Sequence, residues 1–348
     1  MALIEPEQFD QVRIERMIFH VVGPEAANLV LLEEIEPGDH ADFFLERIKS
    51  AVAGIMFDFL PDSPVLAALL QIEANPDDFA AETKKLATLF NGRHGGATSI
   101  GVFLVFALTM GPQRLYAIVK YDHEEVLSYT IREDHDVRRA IIAALESTFV
   151  RSPNALQKAA IIKLSRVGGE LSIRDRVAPS KVTLYFQEFL GAKRRFEADQ
   201  LTKMVAEITK KTARKHLENL DPVVVGSLNQ RVYEVIQSQP GFDPENKEPF
   251  LASVFGPLPE ESPVRKTFAR ELKNSRIQTE VFDFAPDAVP RPSKKHMVTN
   301  EGIEVIYDRE YDDRVRRVDV AGGGKQIIID TGGIRIDDDY AEPRSRVR

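Results

Sequence analysis

The 348-residue chain has no cysteine, which excludes disulfide staples, thiolate catalysis and sulfur-ligated zinc and fits a reducing compartment. Long apolar runs are also missing. The longest, Ile100 to Met110, is interrupted by Gly101 and Thr109 and falls far short of the roughly 20 residues a membrane-spanning helix needs. The opening MALIEPEQFD lacks the basic stretch and apolar stretch of a secretory signal. These absences predict a cytoplasmic protein with no membrane partner.

Several catalytic signatures are absent as well. There is no GxSxG nucleophile elbow, and GGGK at Gly322 to Lys325 lacks the upstream glycine of a P-loop and has Gln326 where the magnesium-holding Ser/Thr belongs; it reads as a hairpin glycine cluster. The seven histidines (His20, His40, His94, His123, His135, His216, His296) form no HxxxH or HExxH pair, so no two are set as ligands on one helix face. NGRHGG (Asn91 to Gly96) lies between a helix and a strand and reads as a turn. A metal-dependent nuclease would need converging carboxylates, and the candidates are Asp308, Asp312 and Asp313, or Asp337 to Asp339. No cofactor or metal is expected.

What the chain does have is apolar material for packed cores, at 43% hydrophobic residues, and an ordinary charged fraction of 29%. Its net charge of −8 is unevenly spread. Residues 1–150 carry −12, residues 151–220 carry 15 Lys+Arg against seven Asp+Glu for a net +8, and the remainder carries −4. A basic centre between acidic flanks is the footprint of a protein that meets a polyanion on one face and repels it elsewhere.

The patterning predicts an α+β protein: an N-terminal mixed domain with an antiparallel sheet over residues 1–180, then a C-terminal domain over 181–348. The latter comprises a helical segment (181–280), a Pro-rich connector (284–296) and a β-meander (300–340). Val12 to Val22 and Leu29 to Leu32 read as a hairpin, and Asp42 to Met56 as an amphipathic helix closed by a loop at Pro61 and Pro64. A second helix runs from Pro76 to Gly92. Phe103 to Lys120 forms a hairpin buried on both faces, Arg138 to Phe149 a helix, and Ala159 to Leu164 with Glu170 to Ile173 a further strand pair.

Helices follow at Val182 to Leu190, with Gly191 as cap or bend, at Glu197 to Leu217, at Val224 to Ile236 and at Val264 to Leu272. Residues 238–263 read as a loop around a short helical turn. The meander strands are Ile303 to Tyr307, Arg314 to Val320, Gln326 to Ile329 and Gly333 to Ile336, and the last residues read as a frayed tail.

On the helix from Glu197, Leu201, Met204, Val205 and Ile208 share one side. At 100° per residue, Lys210 and Arg214 fall within about 20° of Lys203 on another. Lys211 and Lys215 flank this stripe, and Lys193, Arg194 and Arg195 precede the helix. These eight cations are the candidate DNA-binding residues, suited to following a phosphate backbone without reading bases.

LYFQEFLGAKRRFEADQLTKMV (Leu184 to Val205) resembles the central segment of the 37-kDa nucleoid-associated bacterial protein family. IEVIYDREYDDRVRRVDVAGGGKQIIIDT (Ile303 to Thr331) and FLVFALTMGPQRLYAIVK (Phe103 to Lys120) are similar to that family's closing strands and β core. The resemblance implies a nucleoid-localised, double-stranded-DNA-binding protein with a structural or regulatory role, not an enzyme, acting as a homodimer and open to a further protein partner. Pro-rich loops at 238–263 and 284–293 depart from the family pattern. The alternative is a metal-dependent nuclease or DNA-linked defence component using the same basic surface.

Overall fold

The computed structural model describes residues 3–49, 51–93, 100–122, 130–134, 137–141, 156–165 and 168–338. The described chain divides into two compact units, Met1–Val289 and Pro290–Arg348.

The first unit is built on a seven-stranded antiparallel sheet in the order β1-β3-β4-β7-β8-β2-β9. Its strands are β1 (Val12–Val22), β2 (Ile55–Phe59), β3 (Gly101–Met110), β4 (Gln113–Asp122), β7 (Leu156–Ser165), β8 (Gly168–Asp175) and β9 (Ala192–Arg194). The β3–β4 and β7–β8 hairpins lie where the apolar runs placed them, with partners such as Leu104↔Val119 and Ile161↔Ser172. Because successive side chains point to opposite faces, the β3 run serves two cores at once. Leu104 and Phe106 pack with Phe44 and Ile48 of α1 (Ala41–Lys49). Phe103 and Val105 pack with Phe90 of α3 (Phe79–Gly92) and with Phe186 and Phe189 of α4 (Leu184–Leu190). Each aromatic buried here contributes about 1.5–3 kcal/mol relative to exposure.

Three N-terminal expectations are corrected. The helix from Asp42 stops at Lys49, and Ile55–Phe59 is strand β2, paired with both β8 and β9. Gly54 sits so close to the neighbouring strand that a Cβ would come within 2.6 Å of the Ile173 backbone, an approach a continuing helix cannot make. Pro64 opens an unforeseen helix, α2 (Pro64–Ala74), where it takes the first-turn position and the Ser63 hydroxyl accepts the Leu66 N–H. β1 takes β3 as its ladder partner, while Leu29–Leu32 meets it through a Val21↔Val30 bridge and the Leu32 N–H to His20.

Arg138–Ile141 is strand, not helix. β5 (Thr130–Asp134) and β6 (Val137–Ile141) pair antiparallel, because the apolar positions 137, 140 and 141 satisfy either period and ladder pairing decides. The rest of that expected helix, 142–149, lies outside the described residues, as do His94, Gly95 and Gly96 of the NGRHGG turn, His123, His135 and the tail.

Beyond the sheet a third core forms from α5 (Ala198–Lys215), α6 (Pro222–Ser238), α7 (Glu248–Phe255) and α8 (Pro263–Asn274). Leu201, Val205 and Ile208 meet Val232, Ile236, Phe250, Val254, Phe268 and Leu272. The segment 238–263 thus holds a full helix, α7, whose Phe250, Leu251, Val254 and Phe255 are buried. Two short strands, β10 (Gly241–Phe242) and β11 (Phe282–Asp283), pair beside it. One core gives way to the next between Ala192 and Leu201, beyond the expected boundary at 180, and the chain does not part into compact units at either place. Strand β9 returns to the sheet beside β2, and the polypeptide divides only at 289/290.

The second unit consists of two separate hairpins in place of a meander: β12 (Lys294–Val298) with β13 (Glu304–Asp308), and β14 (Val315–Val320) with β15 (Gly324–Ile329). β12 begins inside the expected Pro-rich connector, where KKHMV follows that connector's last proline, Pro292. The glycine cluster makes the β14–β15 turn, with Gly322 and Gly323 at φ 99° and 86°. Gly333–Ile336 forms no strand; its Ile334 and Ile336 stand exposed with no ladder partner.

Candidate nucleic-acid interface

Helix α5 carries most of the candidate cations. Its start is fixed by a capping box in which Glu197 and Gln200 satisfy each other's backbone N–H groups. Thr202 and Thr209 are buried by donating to the carbonyls of Ala198 and Val205. That leaves the outward side to Lys203, Lys210, Lys211, Arg214 and Lys215.

These cations are in different electrostatic situations. Lys203 reaches Asp199 at 3.2 Å and Lys210 reaches Glu207 at 2.9 Å, both pairs within one turn on the helix surface. The exposed Lys203 pair is worth under about 1 kcal/mol and is screened by salt; the Lys210 side chain is itself only 19% exposed. Lys211 and Lys215 both point at Glu271 of α8, each at 2.7 Å. The Glu271 side chain is only 5% exposed, and the Lys211 ammonium, then that of Lys215, holds its carboxyl down at about 2. Arg214 is exposed and, among the described residues, pairs with no carboxylate.

The cluster ahead of the helix is dispersed. Lys193 is exposed on the sheet-edge strand β9 and, among the described residues, pairs with no carboxylate. Arg194 turns inward to Glu280 at 2.9 Å and to the carbonyls of Ser180 and Val281. Arg195 bonds Asp58 of β2 and, at 2.9 Å, Glu170 of β8. Arg194 and Arg195 therefore belong to the internal ion-pair framework. The geometry brings together Lys203, Lys210, Lys211, Arg214 and Lys215 and leaves the 193–195 trio apart from them. Asp199 and Glu207 were readable in advance as i,i+4 and i,i+3 partners. Glu271 and Glu280, 56 or more residues from the cations they hold, carry no local signal.

The carboxylates considered for a nuclease do not converge. Asp312 accepts the Tyr307 hydroxyl at 2.7 Å and faces Lys295 and Arg317. Among the described residues no group of three or more His, Asp or Glu is placed to hold a metal ion. Asp339 of the other candidate trio lies outside them. No described helix is long and apolar enough to cross a membrane.

These features define a class: an α+β protein on a seven-stranded antiparallel sheet, with an appended helical core that presents a cation-rich helix end. The chain belongs to the family of the nucleoid-associated protein YejK, whose family model matches residues 18–329. That span takes in the sheet, the helical core and both C-terminal hairpins. No curated protein matches the chain.

Proposed function

We propose that the protein binds double-stranded DNA through its phosphates, largely without reading sequence, in a structural or regulatory role on the nucleoid. The observation that carries this reading is that Lys210, Lys211, Arg214 and Lys215 crowd the last two turns of α5, in a member of a nucleoid-associated family. Lysine and arginine side chains displace condensed counterions from DNA, a source of affinity that depends on charge and carries no base information. The net −12 over residues 1–150 favours an approach that keeps the sheet's acidic surface away from the duplex. No chemical step is assigned.

Changing Lys203, Lys210 and Arg214 together to Glu tests the reading. DNA retention in a gel-shift titration is expected to vanish while the thermal melt stays in place; unchanged retention removes α5 from the interface. We further propose that the protein works as a homodimer. In support, the second unit exposes Ile306 and Ile329 on two-stranded hairpins, an architecture of marginal stability by itself, and Ile334 and Ile336 in the segment after them. Light scattering on the purified chain tests this, and a monomer mass at micromolar concentration contradicts it.

A further inference from the structure

We propose that Glu271 is a built-in competitor for DNA phosphate: fixed between Lys211 and Lys215, its carboxylate withholds two of the four cations at the end of α5 from the duplex. This rests on the DNA-binding reading above and states how that site is regulated.

The asymmetry of the triad is the basis. Glu271 is 5% exposed, whereas the side chains of Lys211 and Lys215 are 57% and 43% exposed. The two bases therefore lie over the acid and cover it from outside. Its neighbours on α8, Phe268 and Leu272, are locked in the third core. One turn earlier, Thr267 bonds His216 at 2.8 Å, pinning the end of α5 to α8. The two ammonium groups cover the carboxylate, one on each oxygen.

If they left for a phosphate, Glu271 would lose two charge-assisted hydrogen bonds at once, so phosphate must displace a carboxylate that both amines share. The contrast with the stripe beside it is direct. Lys203 and Lys210 are paired to acids, Asp199 and Glu207, that are themselves 52% and 67% exposed, so rehydration compensates each acid once its lysine turns to DNA. Arg214 has no acid to leave. In the resting protein the duplex is therefore offered Lys203 and Arg214, with Lys210, 19% exposed, beside them, and Lys211 and Lys215 held in reserve by a single side chain.

The test measures anisotropy of a labelled duplex of about 20 base pairs across a sodium chloride series, for the wild-type protein, Glu271→Gln, and Glu271→Gln combined with Lys211→Gln and Lys215→Gln. With about 0.9 counterion released per phosphate contact, freeing both amines steepens the slope of log K against log salt by up to about 1.8, or up to roughly 60-fold tighter binding at about 0.1 M salt. The combined variant should lose that gain. A wild-type protein that binds while Glu271→Gln keeps the same slope overturns the clamp and leaves the DNA reading standing. Absence of binding by every protein overturns both.

A second measurement needs no substitution. Lysine acetylation of the wild-type protein, mapped by mass spectrometry with and without duplex, should show Lys210 shielded by DNA and the reactivity of Lys211 and Lys215 unchanged. Shielding of Lys211 and Lys215 in the wild-type protein overturns the clamp.

Discussion

Arg194, on the edge strand of the sheet, and Glu280, in the segment after α8, meet at 2.9 Å with the Glu280 side chain wholly buried. The same carboxylate accepts the backbone N–H of Met56 at 2.9 Å, across 224 residues of sequence. Sheet and helical core have separate apolar clusters, so this contact is one of a set of polar ties between them. Lys181 with Asp283 at 2.8 Å and Lys273 with Glu5 at 2.9 Å are others.

Arg194→Met should destabilise the protein by about 3 kcal/mol, because it leaves Glu280 buried without its counter-charge. Burial already pushes the Glu280 carboxyl above its ordinary range, with Arg194 opposing that shift. Urea unfolding measures the loss, and a change below about 1 kcal/mol shows that the contact does not hold the two cores together.

His20 sets an acid limit. It is fully buried on β1, its Nδ1 accepts the Leu32 N–H at 3.2 Å, and its Nε2 has no hydrogen-bond partner. Burial, with the nearby Lys84 charge adding to it, pushes its pKa down to about 3 from 6.5. The unfolded chain therefore takes up a proton that the folded protein refuses. This contribution to stability is fully present above pH 6.5 and is lost as pH falls from there toward 3, at up to about 1.4 kcal/mol per unit. His20→Asn keeps an acceptor near the Nδ1 position and should flatten that slope in urea melts taken at stepped pH; an unchanged slope assigns the acid sensitivity elsewhere.

Asp175 organises the loop from β8 into α4. It accepts Lys158 at 2.6 Å and the Thr183 N–H and hydroxyl at 2.8 Å each through one oxygen, and the Val177 N–H at 2.9 Å through the other. Burial works against its charge, but Lys158 and the Thr183 N–H outweigh that and keep its carboxyl below the ordinary range. The loop holds Val182, a β-branched residue, at φ 56°, a conformation such residues adopt only under constraint. Lys158→Met should cost about 3 kcal/mol or more. Asp175→Ala should open residues 177–183 to hydrogen exchange before the rest of the sheet, and uniform exchange contradicts that assignment.

Gly191 ends α4 at φ 57°, and a Cβ there would sit 2.7 Å from the Ser63 Cα. Gly191→Ala should cost about 2 kcal/mol or more, combining left-handed strain with a backbone clash. A thermal melt within a degree of wild type contradicts the tight approach.

Local signals in the sequence reached the elements that local physics determines. The β3–β4 run declared a strand pair buried on both faces, and Gly191 marked a helix end. Elements decided by partners were not legible. Ile55–Phe59 continued a helical apolar spacing and became a strand because β8 and β9 stood beside it, and β6 was settled the same way. The cations were correctly seen as concentrated on α5, since composition and helical phase are sequence properties. Their electrostatic state was not, because Glu271 and Glu280 arrive from distant parts of the chain.

The most direct test of phosphate-led DNA binding is the affinity of the wild-type protein for two duplexes of unrelated sequence, measured across a salt series. With Lys203, Lys210 and Arg214 available, log K should fall linearly with log salt at a slope of roughly −2 to −3, and the two duplexes should give matching lines. An affinity that ignores salt, or no duplex binding at low salt, contradicts the account.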